Sequence, residues 1–387
     1  MRHSRCTIFG YVFITIIFCL ISFGCSDDDK STPAGPSGSW DWEAVGTGVN
    51  DRIFALAEFN GDLYVGGFFD SAGGIAVSNF ALWNDSVWEK PLILQVNNEV
   101  AALCVFDGKI TAGGNFSYPF SYHLFWDGAT VSANTGSPNG RIYALCVFDD
   151  SLLIVAGDFD EVGSGTVANN IASFQFLSGG GGQWSALGTG TDGPVYSLAV
   201  HDGKLYAGGH FVHAGGATVN NVAVWHDSVG VWGSLLTGVS YDADTAHCIV
   251  DALESFNNRL YVGGLFSTAG STSVNNIASY TLSGWQACGT GTHNVANGHI
   301  KDLTVFDNKL IAGGYFSSMG GVSNTTRIAA WDGTSWSALG EGVNGDYWPH
   351  VWGMCEYRNE LYVGGRFTIA GTDSTVGNVA CWSYTPD

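Results

Sequence analysis

The chain has 387 residues, 55 of them glycine, with 13% aromatic and only 13% charged residues and a formal net charge of −21. That composition excludes a disordered chain and a helical bundle, and it fits a turn-rich all-β protein with a large buried core. So acidic a surface repels nucleic acid and anionic membranes and argues against both as partners.

The N-terminus reads as a targeting segment. Arg2 and Arg5 precede a charge-free, mostly apolar run, Ile8–Gly24, whose 17 residues are marginal for spanning a bilayer. The run ends in LISFGC, with Gly24 directly before Cys25, and the polar stretch SDDDKSTPAGPSGS follows. This resembles the lipobox of bacterial lipoproteins, although Ser22 stands where that family usually has Leu. The resemblance implies a signal peptide over residues 1–24, a lipidated Cys25, a disordered tether over 25–39 and a folded part over 40–387 in the bacterial cell envelope. An ordinary cleaved signal, giving a secreted protein, and an uncleaved anchor are the alternatives. All three place the folded part outside the cytoplasm. Membrane contact is expected only through the anchor, and the folded part is expected to be a monomer.

From Ile53 onward one unit recurs. IFALAEFNGDLYVGGFF (Ile53–Phe69) returns in six further versions beginning at Val100, Ile142, Val195, Val250, Ile300 and Val351. Seven copies at 42- to 55-residue intervals indicate a modular array. In each, an apolar β-rich run meets a tight turn such as NGD or DGK, a hairpin signal, and a second strand closes on a glycine doublet. A third strand follows a variable loop (NFALW, Asn79–Trp83), and a fourth opens on a tryptophan: Trp88, Trp184, Trp232, Trp285 and Trp336. The second unit has GATVSANTG in place of that Trp, and the third has Ala156-Gly157 with one added residue, the pattern of a bulge. Glycine recurring at one strand position indicates that neighbouring backbones approach there. Cys104, Cys146 and Cys355 share one column with Ala57 and Ala199, so buried thiols are expected rather than disulfides. The Asn before the third strand (Asn79, Asn170, Asn221, Asn276, Asn378) suits left-handed backbone.

Four antiparallel strands per unit describe the blade of a β-propeller. The glycine doublet, the aromatic near the end of the third strand and the tryptophan opening the fourth resemble the kelch/galactose-oxidase class from Trp40 onward. Only six complete fourth strands follow the repeats, whereas WEAVGTG (Trp42–Gly48) matches WSALGTG (Trp184–Gly190). The expected fold is therefore an all-β seven-bladed propeller closed by the N-terminal strand pairing in the last blade. The long second-to-third loops and inter-blade links then share the face opposite the tether, where a rigid scaffold displays binding residues.

The residue after each doublet varies (Phe68, Asn115, Asp158, His210, Leu265, Tyr315, Arg366), as a ligand-reading column would. Asp158, His210, Tyr315 and Arg366 are the candidates there, joined by Tyr347 and Trp348 on a long link, where exposed aromatics suit sugar stacking or a protein hot spot. Asp158, Asp160 and Glu161 offer oxygen ligands for calcium or a carboxylate pair for acid–base work. His210, His213, His247, His293, His299 and His350 all fall on this face, and metal binding requires them to converge. No other cofactor is expected. The copper site of galactose oxidase-like enzymes is not matched, and no GxSxG or HExxH occurs. Three functions remain: a binding scaffold for a glycan or protein, a carbohydrate-active enzyme with its site at the channel mouth, and a structural or adhesive envelope component.

Overall fold

The computed structural model describes residues 38–91, 96–133, 136–241, 248–293, 298–345 and 347–386. The signal segment, Cys25 and His247 lie outside the described residues. The first strand begins at Gly38, two residues ahead of the expected Trp40 boundary.

Among the described residues there is no α-helix, and the strands form seven four-stranded antiparallel sheets with short ribbons between them. In six sheets the four strands follow one another in the chain, as in Arg52–Phe59, Asp62–Phe68, Phe80–Trp83 and Trp88–Glu89. The seventh joins both ends of the described chain. Gly38–Ala44 pairs with Val379–Pro386, which continues into Glu360–Arg366 and His350–Tyr357. Its register places Gly38 opposite Pro386 and Trp42 opposite Trp382.

The first strands of the sheets are Arg52–Phe59, Val100–Phe106, Arg141–Phe148, Val195–His201, Ile249–Phe256, His299–Phe306 and His350–Tyr357. Each lies beside the next, and the last lies beside the first. The glycine doublets make this approach possible. A Cβ on Gly66 would stand 2.5 Å from Cγ1 of Val100 in the following sheet. The same relation pairs Gly113 with Ile142, Gly208 with Val250, Gly263 with Ile300, Gly313 with Val351 and, across the chain ends, Gly364 with Ile53.

The second glycine answers a different demand. Every first strand carries a one-residue register shift near its start, between Ile53 and Ala55 in the first sheet and at the matching position in the other six. At this bulge a carbonyl turns over the second glycine, as Arg52 O does over Gly67 and His350 O over Gly365. The bulge is therefore common to all seven sheets. The residue added in the third is not the source of a bulge, as its sequence suggested: Phe148 faces Leu152, so the insertion enlarges the hairpin turn, which has three residues where the first sheet has Asn60-Gly61.

Tryptophans staple five of the sheets to their predecessors. The buried indole Nε1–H groups donate to carbonyls in the preceding link: Trp88 to Val45 (2.9 Å), Trp232 to Leu187 (2.9 Å), Trp285 to Leu235 (3.2 Å) and Trp336 to Cys288 (2.9 Å). Trp42 donates to Leu339 at 2.9 Å, so the N-terminal strand repeats the contact. Trp184 has no acceptor among the described residues. The asparagines before the third strands are left-handed, with φ between 61° and 70°. Asn79, for example, accepts from Phe69 N and donates to Val96 O, closing the loop. Cys104, Cys146, Cys248, Cys288, Cys355 and Cys381 are all free, and burial pushes the Cys104 and Cys355 thiols up to about 11.

A candidate ligand site at the channel mouth

The seven bulges decide what faces the space between the first strands. A bulged residue leaves the strand's alternation and re-aims its side chain. The bulged positions are Phe54, Ala101, Tyr143, Tyr196, Asp251, Lys301 and Trp352. All seven line two cavities, one of about 300 Å³ at the end where the first strands begin and one of about 290 Å³ deeper in the channel. They form a collar between mouth and interior.

One side of the collar is aromatic. Trp348, 68% exposed, lies 5.7 Å from Tyr315 between ring centroids. Tyr315 stacks on His350 (4.7 Å, 21°), His350 on Trp352 (5.0 Å, 9°), and Trp352 meets Phe54 at 5.1 Å. His350 Nδ1 is 2.7 Å from Trp348 O, so the ring donates there and holds the link in place. Burial keeps His350 below its usual range, leaving the imidazole neutral near pH 7. Across the mouth, Tyr143 and Tyr196 meet edge to face at 4.9 Å. Burial pushes Tyr196 up to about 12, so its hydroxyl stays a donor.

The charges of the collar are paired. Arg141 bridges to Glu99 and lies over the Tyr143 ring at 4.7 Å. Asp251 bridges to His299 and, at 3.2 Å, to Lys301. Burial alone would raise the Asp251 carboxyl, but the charges of His299 and Lys301 outweigh it and hold the group below its usual range. Below the collar, desolvation pushes Glu254 up to about 7 and Asp302 up to about 8. The two oxygens of Asp302 accept from Leu303 N (2.9 Å) and Met354 N (2.7 Å), tying the sixth inner strand to the seventh.

Of the residues singled out in the sequence, Tyr315 and Trp348 come together, with His350 between Tyr315 and the collar. Arg366 is exposed at the end of its strand opposite His350, and Tyr347 is 79% exposed beside the stack. His210 stands apart, its N–H donating to Pro194 O. Asp158 and Asp160 instead line a cleft of about 800 Å³ between the third and fourth sheets. There Asp160 accepts from the Asn139 side chain (2.6 Å), and Asp192 pairs with His213 (2.7 Å). Glu161 is exposed on a two-residue ribbon. Among the described residues no group of three or more His, Cys, Asp or Glu side chains is arranged to hold a metal ion. The collar went unseen in the sequence. Its signal is a column of unlike residues between an Ile/Val column and a column of small residues.

Repeated four-stranded antiparallel sheets with their first strands side by side define a β-propeller. Residues 201–223 match a β-propeller family described as a domain of unknown function, DUF5122. Among solved structures, the chain is similar to the extracellular domain assigned to the hybrid two-component system BT4673 of B. thetaiotaomicron (TM-score 0.59, 11% identity, covering 90% of this chain and 40% of that one). It is similar also to the corresponding domain of BT3049 from the same organism (TM-score 0.56, 11% identity, 90% and 42%). A third likeness is to YCF48 bound to D1 peptide (TM-score 0.53, 13% identity, 91% and 98%). The chain thus spans less than half the length of the two B. thetaiotaomicron chains. At these identities the likeness concerns the fold. No curated protein matches the chain.

Proposed function

We propose that this protein is an extracytoplasmic binding scaffold, a closed seven-bladed propeller of kelch-like repeats that takes a glycan at its channel mouth. The observation that carries the reading is the stack from Trp348 through Tyr315 and His350 to Trp352 and Phe54. Rings fixed by one another form a platform whose ordering is complete before the ligand arrives, and sugar faces bind such plates. Paired charges beside them supply hydrogen-bonding groups without a large net field. Ring closure is supported by the Gly38–Ala44 pairing and by the Trp42 staple. Gly38 and Pro386 lie together at the face of the short turns, so a lipid on Cys25 would leave the mouth pointing away from the membrane. The extracellular domains of similar fold are in keeping with that placement.

The test is a glycan array followed by titration calorimetry. Trp348→Ala and Trp352→Ala are each expected to weaken binding about tenfold, roughly 1.4 kcal/mol. Hits retained in full by both variants would remove the mouth from consideration, and a peptide hit lost in both would turn the reading from glycan to protein. The raised Glu254 and Asp302 favour a second reading, a carbohydrate-active enzyme. Both Asp302 oxygens are occupied by backbone donors, which sets it against a general-acid role. Mass spectrometry of a bound glycan after long incubation separates the two, since only an enzyme changes its mass.

A further inference from the structure

Two sheets break the rule of one loop column, the second with Tyr122 and the sixth with Arg327. Five sheets place an asparagine before the third strand, where its short side chain suits left-handed backbone and clasps the loop. The sixth sheet has Arg327 there, at φ 62°. A long side chain gains no such local compensation, so strain is retained here, as it is at Tyr122 (φ 65°) in the second sheet, where the five asparagine sheets avoid it. Arg327 N still bonds Phe316 O, and its Nε donates to Pro349 O at 3.3 Å, replacing the asparagine's amide. The guanidinium lies 5.6 Å over the Tyr315 ring, beside Trp348.

Its charge has no carboxylate partner among the described residues. Arg52, Arg141 and Lys301 on the same face are matched by Asp51, Glu99 and Asp251. Arg327 is half-buried and forms no ion pair among the described residues, in a chain with 35 acidic residues against 14 basic ones. Where carboxylates are so abundant, a half-buried guanidinium left without one is an opening for an anion.

We infer that Arg327 forms an anion subsite, and that the glycan taken by the mouth is acidic, a uronate ring lying on Trp348 with its carboxylate on the Arg327 guanidinium. A planar fork of N–H donors matches a planar carboxylate better than a point charge does. The inference rests on the glycan reading and adds the substrate class. A chain of this net charge repels polyanions at long range, so a short acidic oligosaccharide or a chain end is the fitting ligand.

The experiment pairs uronate oligosaccharides (glucuronate, galacturonate and mannuronate) with their carboxyl-reduced neutral counterparts on an array, then titrates the strongest pair into the protein. The variant is Arg327→Asn, which restores the residue used by five other sheets and so is expected to fold with an unchanged or higher Tm. The expected result is a preference of at least tenfold for the acid form. Arg327→Asn should abolish that preference while binding the neutral sugar within twofold of the parent, and added salt should weaken only the acid form. Equal binding of both forms, or an acid preference that survives Arg327→Asn, overturns the anion subsite. In that case neutral binding that is lost in Trp348→Ala still supports the glycan reading. Binding of neither form overturns both.

Discussion

At the residue scale, one atom more or less decides whether neighbouring sheets meet. Gly66→Ala places a methyl 2.5 Å from Val100 Cγ1 and is expected to cost about 1–3 kcal/mol by overpacking. If the clash is the cause, Val100→Ala in the same chain should recover part of that loss, measured as a coupling in a double-mutant cycle by urea denaturation. Additive losses would place the cause elsewhere. Asp302 makes a second point. Four other sheets have alanine at its position (Ala55, Ala102, Ala144, Ala252), so its carboxyl is a local departure. Its pKa is raised to about 8 by desolvation, against about 3.9 in an unfolded chain, so the folded state holds the extra proton between those values. Stability from this group is therefore full below about pH 4 and is lost as the pH rises toward 8. Melting curves from pH 5 to 9 should show the parent losing ground to Asp302→Ala as the pH rises. A difference that stays constant would mean the carboxyl does not titrate in that range.

At the scale of elements, the repeat was legible in the sequence because its signals are local. Hairpin turns, glycine doublets and the opening tryptophan each fix a nearby geometry. The bulge was not legible, because it is a register shift between two strands: the second glycine that admits it sits on the partner strand, and the bulged residues themselves, such as Phe54, Lys301 and Trp352, share only their place. The candidate site was half legible for the same reason. Tyr315 and Trp348 stood out as variable or exposed, whereas the collar they join is defined by pairing. The tryptophan staple carries a prediction at this scale. Trp88→Phe keeps an aromatic side chain, though a smaller one, and leaves Val45 O without its buried donor, which alone is a loss of about 1–3 kcal/mol. Trp184→Phe removes an Nε1–H that has no described acceptor and should cost less. Comparable denaturation midpoints for the two would deny the hydrogen bond a separate role.

At the scale of the whole molecule, the seventh sheet holds the two ends of the described chain together. Deleting Gly38–Gly48 removes the partner of Val379–Pro386 and the Trp42 staple, and exposes a strand edge. Aggregation, or a Tm lower by about 5 °C or more, is expected from the lost burial of Trp42 alone; an unchanged melt would show that this sheet does not close the structure. The pairing also has a kinetic side. Of the described strands, the earliest in the chain finds its mate in the latest. During synthesis, Trp40 and Trp42 must therefore wait without their neighbours until Trp382 has emerged. Completion of the seventh sheet is gated by its Val379–Pro386 strand, and a helper that shields the earlier aromatic strand through that interval would act at the step where this sheet is most exposed to error.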